Sequence, residues 1–311
     1  MSARAAASAE ATPRSRRRRG KRNASEARAG LVLALPFCLL FLTFTIWPVF
    51  QSMFMSFTDT RVTDIRTPFA VDFVALDNYI QVLQDEKFQK AAVNTIIFVL
   101  VGVPLTMACG LAAAIALNKG ITRFRAVFRV GFYTPVITSI VAVAVVWRFL
   151  LQPNNGLVNT VLDVIGIDGP NWLGDPRTAL PSLIVMATWR NFGTSMIIFL
   201  AGLQSVDWQL HEAAALDGAG SWQRFLNVTL PGIRPTFLFV LVTTTIGYLQ
   251  FFEEPFVMTL GGPLDSTISV SMYTYQQFGF GNYGIASAMA YITFMVIVVV
   301  TLVQFRIARE K

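Results

Sequence analysis

Six stretches of this chain are long, apolar and almost free of charge: Ala29–Thr58, Ala91–Leu117, Val130–Trp147, Thr178–Val206 (broken only by Arg190), Pro235–Phe252 and Ile285–Phe305. Nothing else in the sequence limits the fold as much. A helix needs about 20 mainly apolar residues to cross a bilayer. Helices are required because unpaired backbone groups cannot be left facing lipid. The third and fifth runs look short only because Arg148 and Glu253 interrupt them near one end. Charge falls on 14% of the 311 residues, where a soluble domain carries about a quarter. The reading is an all-α polytopic membrane protein with six transmembrane helices, and a soluble enzyme is excluded.

The Lys and Arg residues set the orientation. Arg4, Arg14, Arg16, Arg17, Arg18, Arg19, Lys21, Arg22 and Arg28 precede the first span. Lys119, Arg123, Arg125 and Arg129 lie between the second and third, Arg224 and Arg234 between the fourth and fifth, and Arg306, Arg309 and Lys311 after the last. The alternate loops hold only Arg61, Arg66, Lys87, Lys90 and Arg177. By the positive-inside bias both termini are expected in the cytoplasm. Residues 1–29 read as a basic disordered tail attracted to anionic lipid, with no nucleic-acid role; residues 30–311 read as the transmembrane domain. The first apolar run is too long for a cleaved signal peptide and has no A-x-A site. Cys38 and Cys109 both fall within spans and offer neither a disulfide framework nor metal-ligand spacing.

Between the spans, Asp59–Lys90 is expected to carry an interfacial helix near Leu76–Leu83, and Gln152–Arg177 reads as a turn-rich loop. Gly261–Asn282 opens with GGP and brings Tyr273, Tyr275, Phe278 and Phe280 to a membrane–water boundary. If the third and fifth spans are straight, Arg148 and Glu253 each lie roughly 27 Å from the inner end. They either snorkel to the outer interface or pair. Arg190 falls near mid-membrane, where a charge must face protein or water; structural pairing and pathway lining are both open to it.

One polar segment stands apart. HEAAALDGAGSWQRFLNVTLPGIRP, His211–Pro235, separates two apolar runs on the side expected to be cytoplasmic. Ser205 or Asp207 can cap a helix over Trp208–Leu216, and Gly218 suits its left-handed C-terminal cap. Ser221 can cap a second helix, Trp222–Leu230, ended by Pro231 and Pro235. On it Trp222, Phe225, Leu226 and Thr229 share a face expected to be buried, leaving Gln223 on the free side. Small Ala213, Ala214 and Ala215 after Glu212 let a partner approach the backbone closely.

These residues resemble the EAA loop of ABC importer permeases. Glu212-Ala213-Ala214, three residues, Gly218, nine residues, Val228, one residue and Leu230-Pro231 match its spacing, with Val for the usual Ile. AGLQSVDWQLHEAAALDGAGSWQRF (Ala201–Phe225), GGP with Thr267, FGNYGIASAMA and LDNY with Asn94 and Thr95 are similar to sugar permeases of the maltose and glycerol-phosphate importer type, and to the first permease of such pairs. The resemblance implies a type I importer permease fold in the cell (cytoplasmic) membrane. It implies a coupling loop at 205–235 in which Glu212, Ala213, Ala214, Asp217, Gly218, Leu230 and Pro231 meet an ATPase. It further implies a second permease, a cytoplasmic ABC ATPase dimer carrying ATP and Mg, and an extracytoplasmic sugar-binding protein. The chain contains no GxxxxGK[ST], HExxH or CxxC motif. No cofactor or metal of its own and no catalytic residue are therefore expected.

Two other readings compete. A standalone ion-coupled carrier or channel would use Glu253 and Glu254 but has no reason to present the hinge. A non-transporting scaffold leaves Arg190 unexplained. A sugar pathway needs aromatic faces with amide or hydroxyl partners, which Trp189, Arg190, Asn191, Tyr248, Gln250 and Glu253 could supply; ordinary helix packing is the alternative for each.

Overall fold

The computed structural model describes residues 14–66, 71–120 and 124–309. Arg4, Arg123 and Lys311, which contribute to the charge bias, lie outside them, as do the first 13 residues of the expected tail. The chain divides into two units, Met1–Phe54 and Met55–Lys311.

In the first unit, α1 (Arg14–Phe41) starts inside the segment read as a tail, whose Arg, Ala and Glu residues are good helix formers. A π-helical turn, Leu42–Ile46, joins it to α2 (Trp47–Ser56). Trp47 N–H reaches back to Leu42 C=O, and Pro48, which has no N–H to give, follows at once. An extra residue in the turn keeps the proline ring clear of the carbonyl it would otherwise strike.

After the end of α2 and a short 3-10 turn, Val62–Arg66, the second unit carries the expected interfacial helix, α3 (Asp77–Gln84). Asp85 then caps α4 (Glu86–Ile115) by accepting from Lys87 N and Phe88 N at 2.8 and 3.3 Å. Next come α5 (Arg125–Ile137), α6 (Ile140–Leu150), α7 (Leu157–Val164) and α8 (Pro176–Ser205). The turn-rich loop thus holds a helix that its Pro, Asn and Gly residues hid. Asn159 on α7 folds the loop by donating to Pro153 O and accepting from Trp172 Nε1 at 2.6 Å. The polar segment gives α9 (Trp208–Leu216), α10 (Ser221–Arg224) and α11 (Leu230–Gly232). The chain ends with α12 (Arg234–Leu249), α13 (Glu253–Met258), α14 (Val270–Gly279) and α15 (Tyr283–Arg309).

Among the described residues four helices are long and apolar enough to cross a membrane, or six if each of two bent pairs is one span. The bend within the third run and the helix break after Leu249 in the fifth overturn their straight-helix depths. α5 and α6 meet at 97°. Thr134 and Thr138 turn their hydroxyls back onto Val130 O and Thr134 O, Pro135 withholds a donor, and Thr138 and Ser139 go extended. Arg148 is exposed on α6 and makes no ion pair with Glu253 among the described residues. The helix of the fifth run stops at Leu249, and Glu253 opens a new one.

The core of this unit is the α4–α8 seam, with Phe98, Met107, Leu183, Met186, Met196 and Phe199 buried along it. Lipid tails are as apolar as these side chains, so close packing rather than water exclusion holds the seam. Glycines permit such approach: in the seam a Cβ on Gly110 would lie 2.6 Å from Ser195 Cβ, and where α5 meets α8 one on Gly193 would lie 2.2 Å from the Phe132 carbonyl oxygen. A smaller core joins α3, α4, α14 and α15 around Val82, Phe88, Ile268, Met272 and Met289. There Tyr273, expected at a membrane boundary, is buried and donates to Asp85 Oδ2 at 2.5 Å; Tyr275, Phe278 and Phe280 stay exposed.

Candidate functional site

Two helices present polar stripes to a shared cavity. On α8, Arg190, Asn191, Thr194, Ser195 and Ile198 recur at helical spacing; on α12, Val240, Thr243, Thr244, Gly247 and Tyr248 do the same. Thr106 of α4 and Gln250–Glu254 close the cavity, whose volume is ≈ 460 Å³, within the usual range of about 300–1,000 Å³ for small-molecule sites. Five of the six residues read as a pathway line it: Arg190, Asn191, Tyr248, Gln250 and Glu253. Trp189 does not; one residue round the helix, it faces away and packs on Trp147 with centroids 5.8 Å apart.

Tyr248 is fixed at both ends of its side chain. Its hydroxyl meets Thr106 Oγ1 at 2.7 Å, and its ring lies where a Cβ on Gly102 would come within 2.7 Å. Phe98 stacks on Phe251 at 3.9 Å and tilts against Tyr248 at 5.1 Å, which makes one wall aromatic. Asn191, also on the lining, donates to Ala187 O. Glu253 is exposed, whereas Glu254 is buried, with Arg190 and Glu253 as its charged neighbours. Thr194, Ser195, Thr243, Thr244 and Glu254 were not singled out as pathway residues from the sequence. Extending Arg190–Asn191 by three and four residues would have found Thr194 and Ser195, and stepping four back from Tyr248 would have found Thr244 but not Thr243. Glu254 had no such signal, because the helix break that buries it is not visible as a pattern.

The polar segment forms a knuckle joining these same two helices. Asp207, not Ser205, caps α9 by accepting from Gln209 N at 2.9 Å; Ser205 turns back to Gly202 O. The other end is a left-handed cap: Gly218 has φ +80°, Gly218 N donates to Ala215 O, and Ala219 N donates to Ala214 O. Glu212, Ala213, Asp217, Gly218 and Pro231 are exposed, and Ala214 and Leu230 are half-buried.

The second helix departs from expectation in three ways. Gly220 rather than Ser221 is its N-cap, and Gln223 Oε1 accepts from Gly220 N at 2.9 Å, so Gln223 is not idle. A π turn, Phe225–Thr229, follows because Pro231 again needs relief; Leu230 N reaches Phe225 O, and Pro231 continues the helix instead of ending it. That turn shifts the apolar register. Thr229 and Ile233 are buried while Trp222 is 70% exposed, stacked on Phe225. With Trp208 and Leu216, the latter 89% exposed, Trp222 gives the knuckle an apolar rim, although the sequence reading puts Trp222 on the buried face.

The knuckle is also tied to both cavity helices. A Cβ on Gly232 would lie 2.9 Å from Val206 Cγ2, and one on Gly202 would lie 2.6 Å from Thr236 Oγ1. Arg190 is about 22 Å up α8 from Ser205, and Tyr248 about 21 Å up α12 from Arg234, at 1.5 Å per residue.

Residues 87–310 match the family described as binding-protein-dependent transport system inner membrane component. The chain belongs to that family. It is 38% identical over 284 residues to the probable ABC transporter permease protein YesP of Bacillus subtilis, covering 89% of each chain. It is 34% identical to the lactose transport system permease protein LacF of Rhizobium radiobacter, covering 91% of this chain and 94% of that one. Among solved structures it is similar to a chain of a bacterial alginate ABC transporter in complex with an alginate pentasaccharide-bound periplasmic protein. There the TM-score is 0.79 and the identity 26%, over 93% of this chain and 96% of the other. The membrane-component fold and membrane location expected from the sequence stand.

Proposed function

We propose that this chain is the membrane permease subunit of an ATP-driven, binding-protein-dependent carbohydrate importer. The observation that carries this reading is the connection of α8 and α12, whose stripes face the cavity, through an exposed, capped knuckle. A force applied at α9 would reach both cavity walls through the close approaches of Gly232 to Val206 and of Gly202 to Thr236. Glu212, Ala213, Ala214, Asp217, Gly218, Leu230 and Pro231 form the coupling surface, and Trp208, Leu216 and Trp222 add apolar anchors of the kind that dominate protein interfaces. The chain has no phosphate-cradling motif, so ATP and Mg belong to a cytoplasmic ABC ATPase dimer. A second permease completes the pathway, and an extracytoplasmic sugar-binding protein delivers the cargo. The charge bias supports cytoplasmic termini and a cytoplasmic knuckle, and the basic residues 1–29 are suited to anionic lipid.

Hydroxyls of Thr194, Ser195, Thr243 and Thr244, amides of Asn191 and Gln250, and the ring of Tyr248, held by Thr106, suit a polyhydroxylated cargo. Removing this cavity tests the assignment. In the reconstituted transporter, Thr244→Trp is expected to abolish sugar uptake while leaving assembly with the ATPase intact. Undiminished uptake would refute the cavity as the pathway.

A further inference from the structure

The charged groups of the cavity carry information about which sugars it accepts. Arg190 is the one guanidinium on the wall. Its Nε is covered yet has no hydrogen-bond partner, and among the described residues no carboxylate lies within ion-pair distance of it. Glu254 stands beside it as a charged neighbour, so it is the Nε donor rather than the charge that is left unmet, and a ligand hydroxyl can supply that acceptor. Two carboxylates, Glu253 and Glu254, stand on the same cavity; Glu254 is 7% exposed, and Glu253 is open to the cavity.

We propose, resting on the pathway reading above, that Arg190 and Glu253 act as a donor–acceptor pair that passes uncharged saccharides and discriminates against uronic acids. A sugar hydroxyl both accepts and donates, so one neutral ring uses both groups, accepting from Arg190 and donating to Glu253. A uronate gains little at Arg190, which Glu254 already neighbours, and meets the exposed Glu253 carboxylate, where like charges repel. With Glu254 buried beside Arg190, the exposed Glu253 is the carboxylate a ligand meets, and it sets the balance against the anion.

The test is direct binding by saturation-transfer NMR to the assembled, nucleotide-free transporter, with the binding protein omitted. The probes are glucose- and galactose-based neutral trisaccharides and the same trisaccharides oxidised to a terminal uronate. The neutral member is expected to bind at least about tenfold more tightly, a difference of about 1.4 kcal/mol. Glu253→Gln should narrow the ratio to within about threefold, and Glu253→Lys should reverse it. Thr244→Trp should abolish binding of both. Equal binding to wild type, or a ratio unmoved by Glu253→Gln while Thr244→Trp still abolishes binding, overturns the selectivity and leaves the pathway standing. Binding that survives Thr244→Trp overturns the pathway and the selectivity together. Absence of binding by every trisaccharide overturns the selectivity too.

Discussion

Replacing Gly218 isolates a single physical quantity. At φ +80° a Cβ there would meet nothing within 4 Å, so a substitution brings no clash beyond its own backbone. The cost is purely conformational: about 1–2 kcal/mol for an ordinary L-residue in the left-handed region, and more for a β-branched one. The chain escapes that strain by leaving the cap. It then gives up the Gly218 N to Ala215 O and Ala219 N to Ala214 O bonds, and α9 no longer holds its angle to α10. A penalty of 1–2 kcal/mol is about a 5–30-fold shift in population, so Gly218→Ala should cut coupled transport severalfold and Gly218→Val should nearly abolish it. Gly218→Asn should retain most activity, since Asn tolerates this conformation. The assay is sugar uptake and ATP hydrolysis by the complete transporter in proteoliposomes, with assembly checked by copurification. Uptake should fall in the order Gly, Asn, Ala, Val while insertion is unchanged. Wild-type uptake in Gly218→Val, or Asn as damaging as Val, would refute the mechanical role of the cap.

Three further outcomes follow from particular contacts. Gln223→Ala removes the acceptor of Gly220 N–H, which should cost about 0.5–1.5 kcal/mol and lower the ATP-driven uptake; a silent variant contradicts the cap. Gly193→Ala drives a methyl into the Phe132 carbonyl, an overpacking of about 1–3 kcal/mol that should lower the Tm in detergent. Tyr273 is pushed up to about 12 by burial and by its hydrogen bond to Asp85. The folded state therefore holds its proton more tightly than the unfolded chain, whose Tyr titrates at about 10. Its contribution is fully present below pH 10 and lost as pH rises toward 12; melting from pH 8 to 11 should show a decline that Tyr273→Phe reduces.

The spans, the knuckle and most of the cavity could be read from the chain because each rests on local rules. Apolar run length marks a span, Asp207 and Gly218 mark helix ends, and the EAA spacing marks the knuckle. What was missed depends on geometry that periodicity does not encode. Nothing in Val130–Trp147 announces a 97° bend, although Thr134, Pro135 and Thr138 together supply its cause. The π turn before Pro231 shifts the register by one residue, and so Trp222 was placed on the wrong face. Trp189 offers the aromatic face a sugar pathway needs, yet it is one residue from Arg190 on the helix, and adjacent residues point about 100° apart.

The central claim is that α9 transmits ATP-driven motion to the cavity, and Ala213→Trp tests it most directly. Ala213 is exposed on the face offered for close approach, so a ring there obstructs docking without touching a span. In proteoliposomes holding this chain, its partner permease, the ATPase and the binding protein, wild type should accumulate sugar only when ATP is supplied. Ala213→Trp should insert normally but lose uptake, with the ATPase either released or hydrolysing ATP without sugar stimulation. ATP-coupled uptake at the wild-type rate in Ala213→Trp, or sugar movement by this chain alone without an ATPase, would contradict the account.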